Sequence, residues 1–250
     1  MKIISIVNQK GGVGKSTTAY AVGFGLAHKD KKVLLIDIDP QCNLSFSANA
    51  DLERNNILDA LKGTCDITST IQHLEILDII VANPFLNTAD NYFTQTGKEY
   101  KLKELLEPVK ENYDYIVIDT PPSMGVLTTN ALTTSDSVII PCQADIYSLI
   151  GIHQLAENLE AIKKYCNPSL TVDGILLTRY NERTLLARDI KGDFEEAAQQ
   201  MNSKVFKTTI REGIAVKSSQ AYNQDLYIYA PQAKVTRDYI LFVDELLKGE

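Results

Sequence analysis

Cysteine is sparse in this sequence. The four present, Cys42, Cys65, Cys142 and Cys166, lie far apart with no Cys-x-x-Cys pair. That spacing argues against a zinc site, an iron–sulfur cluster or a redox dithiol, and leaves reduced, mostly buried thiols. Long apolar runs are missing too: no window approaches the roughly 18–20 uncharged apolar residues of a membrane span. Residues 1–8 also lack the charged-then-apolar layout of a signal peptide, so a cytoplasmic protein is expected. Positive charge is in deficit, with 25 Lys and Arg against 32 Asp and Glu and a net charge of −7, which argues against a globally basic DNA binder. The deficit is uneven. Residues 1–178 hold 14 basic against 21 acidic residues, whereas residues 179–250 hold 11 of each.

What remains is an ordinary globular composition, 44% hydrophobic and 23% charged, over 250 residues, enough for one sizeable core and one domain. Apolar runs of strand length alternate with longer amphipathic stretches, the signature of β-α units on a parallel sheet. "KIISIV" (2–7), "KVLLID" (32–37), "ILDIIVA" (76–82), the core of "YDYIVIDTPPS", "SVIIPC" (137–142) and "TVDGILLTRY" (171–180) read as strands. Helices are predicted from Lys15 to about His28 and over 57–63, 98–112, 148–165, 184–202 and 234–248. The expected architecture is a single doubly wound α/β domain over 1–250, a mostly parallel sheet flanked by helices of the P-loop NTPase class. Ligands of such sheets sit at the carboxyl ends of the strands.

Three motifs fall at such ends. In "NQKGGVGKSTT" (8–18), glycines 11, 12 and 14 free backbone N–H groups to cradle phosphate oxygens at a helix N-terminus. Lys15 is then placed to neutralise the β and γ phosphates, and Ser16 to ligate Mg²⁺. The plain pattern wants glycine at position 9, where Gln9 stands, and an extra lysine, Lys10, lies inside the loop. "LLIDIDPQCN" sets Asp37 and Asp39 just past the second strand, where a carboxylate can orient the attacking water or hold a water of the Mg²⁺ shell. "YIVIDTPP" is an apolar strand ending in Asp119, the Walker B layout, followed by the stiff turn Thr120-Pro121-Pro122.

Taken together, "KGGVGKST", "DIDPQCN" and "YIVIDTPPS" resemble the deviant Walker A (MinD/ParA) superfamily, and specifically the ParA/Soj-type DNA-partition ATPases. The resemblance covers essentially the whole chain. It implies a homodimer sandwiching two ATP molecules, with Lys10 reaching the partner's bound nucleotide. Asp39 then positions the hydrolytic water, Asp37 supports it, and Asp119 with Ser16 serves the Mg²⁺ shell. Gly11, Gly12, Val13, Gly14 and Lys15 bind phosphates, and Thr17 stands near the α phosphate. Adenine contacts are implied around "LTRYN" and Tyr229-Ala230-Pro231, with Asn181 and Pro231 as candidates.

The same resemblance implies non-specific binding of double-stranded DNA, association with the nucleoid, and a ParB-like centromere-binding protein that stimulates slow turnover. Residues 204–237 carry six Lys and Arg against Glu212 and Asp225, the local basic face such binding needs. Arg211, Arg183 and Lys217 are the candidate DNA contacts. The sequence begins directly at its first strand, so the helix-turn-helix domain of larger family members is not expected. Three rivals are weighed: a MinD-like membrane-associated positioning ATPase, a relative of nitrogenase iron protein, and a nucleotide-binding scaffold without turnover. The first needs a basic amphipathic C-terminal helix, and "DYILFVDELLKGE" is acidic. The second needs two cluster-ligating cysteines per subunit, and the third is at odds with the full set of Lys15, Ser16, Asp39 and Asp119.

Overall fold

Strands covered on both faces need apolar side chains at every position, and the runs identified in the sequence supply them. The computed structural model describes residues 1–181 and 185–249, with side chains outside 185–189. Its strands are β1 (Lys2–Ile6), β2 (Val33–Asp37), β3 (Ile71–His73), β4 (Asp78–Ile80), β5 (Tyr115–Asp119), β6 (Ser137–Gln143) and β7 (Thr171–Thr178). They form one sheet in the order β3-β4-β2-β5-β1-β6-β7, parallel except for the antiparallel pair β3 and β4 at one edge.

The helices are α1 (Lys15–Ala27), α2 (Asn43–Ser47), α3 (Ile57–Lys62), α4 (Ala89–Tyr92), α5 (Lys101–Leu106), α6 (Val126–Thr134) and α7 (Ile146–Tyr165). They continue with α8 (Leu185–Gln200), α9 (Ile214–Ala221), α10 (Leu226–Tyr229) and α11 (Lys234–Lys248). Side-chain alternation along each strand divides them between two layers. Ile4, Leu35 and Val117 pack with Ala19 and Val22 of α1 and Phe242 and Val243 of α11. Ile3, Ile36 and Ile116 face the other way, onto Leu58, Leu102 and Ala131 of α3, α5 and α6. Val138, Ile140 and Leu177 do the same against Ile152 and Leu155 of α7 and Phe194 of α8. Among the described residues no helix is long and apolar enough to cross a membrane.

The structure departs from the sequence expectation in instructive places. The helix expected over 98–112 is broken into a 3-10 turn at Lys98–Tyr100, α5, and a second 3-10 turn at Lys110–Asn112. Pro108 lies between the last two, and its missing N–H and its ring stop the helix. The unforeseen α6 is threonine-rich, a composition of modest helix propensity. Two of its hydroxyls, those of Thr133 and Thr134, bond back to the carbonyls of Thr129 and Asn130 at 2.7 Å each. Its first turn is capped from afar, because the N–H of Val126 donates to Asp90 Oδ1 at 2.7 Å. That contact gives a physical reason for the polar, aromatic segment 85–97: Leu86, Ala89 and Phe93 are buried while Asp90 is aimed at α6.

Asp90→Ala should therefore lower stability by about 1 kcal/mol, the usual worth of a helix cap. In a chain of this length that is a fall of about 2–4 °C in Tm, read by thermal unfolding followed by circular dichroism.

Candidate nucleotide site

The chain leaves β1 at Ile6 and enters α1 at Lys15 through a loop whose shape needs glycine at two points. Gly12 (φ 75°) and Gly14 (φ 93°) are left-handed, a region costly for residues with a Cβ. Gly14 is the N-cap of α1 and offers no side-chain cap, so the first N–H groups of the helix are left for an anion. Three strand ends hold the loop. Lys10 N donates to Asn8 Oδ1 at 2.8 Å, Gln143 Nε2 to the Gly12 carbonyl at 3.1 Å, and Thr178 Oγ1 to the Val13 carbonyl at 2.7 Å.

The loop opens on a cavity of about 470 Å³ lined by Gly11, Gly12, Gly14, Lys15, Ser16, Thr17, Asp39, Gln41, Asn43, Phe46, Ser47, Pro122, Arg179, Gln220 and Ala221. A second cavity of about 210 Å³ shares Gly14, Thr17, Arg179 and Gln220 with it and adds Val13, Ile210, Arg211, Val216, Lys217 and Tyr239. The sequence motifs thus converge on one place. Asn181 and Pro231, like Lys10, Asp37 and Asp119, line neither cavity, while Arg179 and Gln220 line both. Arg179 belongs to the "LTRYN" segment named for base contacts in the sequence, whereas Gln220 reaches the loop from α9, which no local pattern announced.

Electrostatics make this the most loaded part of the molecule. β2 and β5 run in register so that Asp37 pairs with Asp119, and both are fully buried. Asp37 has all its needs met: Oδ1 accepts from Asp39 N at 3.0 Å, and Oδ2 from Ser45 N at 2.8 Å and Ser45 Oγ at 2.7 Å. Burial pushes its pKa up to about 6 against those bonds. Neither carboxylate oxygen of Asp119 has a partner among the described residues. Burial and the charges of Asp37 and Asp39 push it well above the usual carboxylate range, against Ser16 and Lys15. Asp39 faces the cavity and is also raised by burial, while Gln41 N and Lys15 oppose the shift. Lys15, 6% exposed, donates to the Lys10 carbonyl at 3.3 Å, and burial lowers its pKa although Asp119 and Asp39 pull it up.

Two carboxylates, Asp119 and Asp39, thus act on one buried ammonium, with Asp37 paired beside Asp119. A buried carboxylate without partners beside a serine hydroxyl is the donor set of a hard divalent cation. No group of three or more His, Cys, Asp or Glu among the described residues is arranged to hold a metal by itself.

The other candidates fall differently. Lys10 Nζ is held within its own chain, 2.8 Å from both oxygens of Asp145 and 3.2 Å from Ser148 Oγ at the start of α7. Arg211 forks onto the buried Asp238 of α11, with Nε 2.6 Å from Oδ2 and a terminal nitrogen 2.8 Å from Oδ1. Its backbone N–H donates to the same carboxylate at 3.1 Å, so this arginine braces the fold. Lys217 is 71% exposed, 3.8 Å from Glu212. Arg183 lies outside the described residues. Thr120 turns away from the cavity to donate to the Ile6 carbonyl at 2.8 Å. Cys142 is buried against Asn8 with its thiol pushed far up by desolvation, a poor start for a cluster ligand. The apolar face of α11, Val235, Tyr239, Phe242, Val243 and Leu246, is spent in the core.

A family profile described as an AAA domain matches residues 1–172. The sporulation initiation inhibitor protein Soj of Bacillus subtilis (strain 168) is 39% identical over 251 residues, covering 98% of both chains. The chromosome partitioning protein ParA of Myxococcus xanthus is 34% identical over 254 residues, 100% of this chain and 89% of that one. Among solved structures, cobyrinic acid a,c-diamide synthase of Mycobacterium smegmatis with bound ADP and magnesium superposes with a TM-score of 0.85 at 29% identity, covering 99% of this chain and 94% of that chain. A putative plasmid partition protein of Borrelia burgdorferi bound to AMPPNP does so with a TM-score of 0.80 at 28% identity, covering 99% and 97%. With its glycine loop, its paired strand-end aspartates and these whole-length relatives, the chain belongs to the ParA/Soj family within the AAA-domain proteins.

Proposed function

We propose that this protein is a Mg²⁺-dependent ATPase that dimerises around two ATP molecules, binds duplex DNA without sequence preference, and partitions a replicating DNA element with a ParB-like protein. One observation carries the reading: a buried carboxylate, Asp119, without a hydrogen-bond partner among the described residues, lies at the strand end paired with Asp37 and within reach of the charge of Lys15 in the glycine loop. That arrangement is unfavourable until a cation and a phosphate chain complete it. Relatives named chromosome partitioning protein ParA and solved neighbours named with ADP, AMPPNP and magnesium support it.

In this reading Lys15 and the N–H groups of Gly11 to Thr17 neutralise and orient the phosphates, and Ser16 and Asp119 hold the Mg²⁺ shell. Bound Mg²⁺ supplies charge neutralisation at the β and γ phosphates. Asp39, at the cavity wall, orients the attacking water. The base occupies the side of the loop lined by Arg179 and Gln220. Lys10 exchanges Asp145 for the phosphates of the partner subunit's nucleotide, which makes the dimer depend on the γ phosphate. Lys217 and its basic neighbours contact DNA phosphates, with Arg211 in a bracing role.

Removing the buried charge separates stability from function. Asp119→Asn should raise the Tm of the nucleotide-free protein, and weaken Mg²⁺-dependent stabilisation by ATP about 10- to 100-fold in Mg²⁺ concentration. The raised carboxylates also set a pH trend. The folded state binds more protons than the unfolded state between the ordinary Asp value of 3.8 and the raised value of about 6 for Asp37. Stability of the nucleotide-free wild type should therefore fall as pH climbs through that window, and less steeply in Asp119→Asn. Thermal shift scans across pH check both.

The Lys10–Asp145 pair is about a third exposed on each side, so its worth is that of a surface ion pair, about 0.2–1 kcal/mol. With one such pair in each subunit, Asp145→Asn should therefore tighten the ATP-dependent dimer by up to about 30-fold, and Lys10→Gln should abolish the dimer while leaving ATP bound. Light scattering after gel filtration reads the change.

The DNA step is tested with random-sequence duplex in ATP, ADP or no nucleotide, over a range of salt. ATP alone should support binding, salt should weaken it, and Lys217→Glu should weaken it further. Lys217 is preferred over Arg211 because Arg211→Glu would set a second carboxylate against buried Asp238. Hydrolysis of ATP with no DNA bound in any nucleotide state would refute partition.

A further inference from the structure

Asp37 differs from its two neighbours in that both oxygens of its carboxylate are held by the protein. Two of its three bonds come from one residue, Ser45, through the backbone N–H at 2.8 Å and the hydroxyl at 2.7 Å. The third comes from the N–H of Asp39 at 3.0 Å. The Ser45 oxygen in turn accepts the N–H of Ala82, just beyond β4, at 3.0 Å. A hydroxyl has one proton to give, and here it is committed to Asp37 while a lone pair takes Ala82, so its orientation is fixed. Both side chains are 0% exposed. A continuous chain of hydrogen bonds thus runs from the end of β4 through Ser45 and Asp37 to the backbone of Asp39.

The location of Ser45 sharpens the point. It lies on α2, whose residues Asn43, Phe46 and Ser47 line the larger cavity. That helix has five residues, and its N-cap, Cys42, sits at φ 55° with no side-chain cap. So short a helix has little stability of its own. Buried Leu44 packs it into the core, the Ser45–Asp37 contact ties it to the end of β2, and the same carboxylate holds the turn that carries Asp39.

We propose that Ser45 is a positioning residue for ATP hydrolysis. Through Asp37 it sets the backbone of Asp39, and so the direction from which the Asp39 carboxylate meets the attacking water. The inference rests on the ATPase reading above and adds to it a residue that touches neither nucleotide nor metal. Bonds to a carboxylate are short and strong, and removing this one leaves Ala82 N–H unpaired and Asp37 Oδ2 with only the backbone N–H of position 45 in a dry site.

The test compares wild type, Ser45→Ala, Ser45→Thr, Asp37→Asn and the double variant Asp37→Asn/Ser45→Ala. Phosphate release gives kcat and KM, a fluorescent ATP analogue gives affinity, and thermal melting reports the fold. Ser45→Ala keeps the backbone bond to Asp37, so α2 should stay docked. Its kcat should fall by about tenfold or more, since displaced catalytic groups cost up to ~100-fold, with KM and ATP affinity within about twofold of wild type. Ser45→Thr, which keeps the hydroxyl, should restore most of the rate, and the double variant should be no slower than Asp37→Asn alone. Unchanged kcat in Ser45→Ala would overturn the proposal. So would a parallel loss of kcat, affinity and Tm, which marks a merely structural role, or a double variant whose defects multiply. A wild type that releases no phosphate would sink the ATPase reading itself, and this inference with it.

Discussion

A carboxylate taken out of water needs a proton, a set of donors or a cation. In-register pairing of two parallel strands forces that requirement on this protein twice in one place. Because Asp37 and Asp119 are register partners, their side chains leave the sheet on the same face, and each raises the pKa of its neighbourhood. Ser45 and the Asp39 backbone satisfy one of them. The other is left unsatisfied, and the adjoining glycine loop and Lys15 mark where the missing charge belongs. The remaining features of the site, the left-handed glycines, the uncapped first turn of α1 and the pinned loop carbonyls, shape the space around that unmet need.

The sheet order explains why so many elements can contribute. With β1 central, the ends of β5 and β2 lie on one side of the loop and those of β6 and β7 on the other. Hydrogen bonds from Gln143 of β6 and Thr178 of β7 then reach the loop backbone without any intervening segment. Fixing the loop from the β6 and β7 side lowers the ordering cost of binding an anion there.

Legibility in the sequence followed the range of the contact. Lys15, Ser16, Asp39 and Asp119 were readable because each sits at a strand end or in a glycine loop whose local pattern states its environment. α11 and the strand runs were readable because their periodicity reports burial. The rest depended on partners far along the chain. Lys10 meets Asp145 across 135 positions, Val126 meets Asp90 across 36, and Arg211 meets Asp238 across 27. No local pattern encodes such a pairing, so the sequence shows the Arg211 charge but not its fork onto Asp238, and the segment around Asp90 reads as featureless. The helix expected over 98–112 failed for a different reason, since an amphipathic pattern spans Pro108 without registering it as a stop.

The position of α11 has a consequence in time. This helix supplies Val235 and Tyr239 to the second cavity, the Asp238 that braces Arg211, and the layer that covers α1. Its residues are among the last of this sequence to be synthesised, while the glycine loop they help enclose is among the first. Chains emerge from the ribosome N-terminus first, and the central β1 must wait for β5 and β6, more than 100 residues later, to gain its neighbours. A growing chain therefore carries the phosphate loop long before α11 can complete the second cavity beside it.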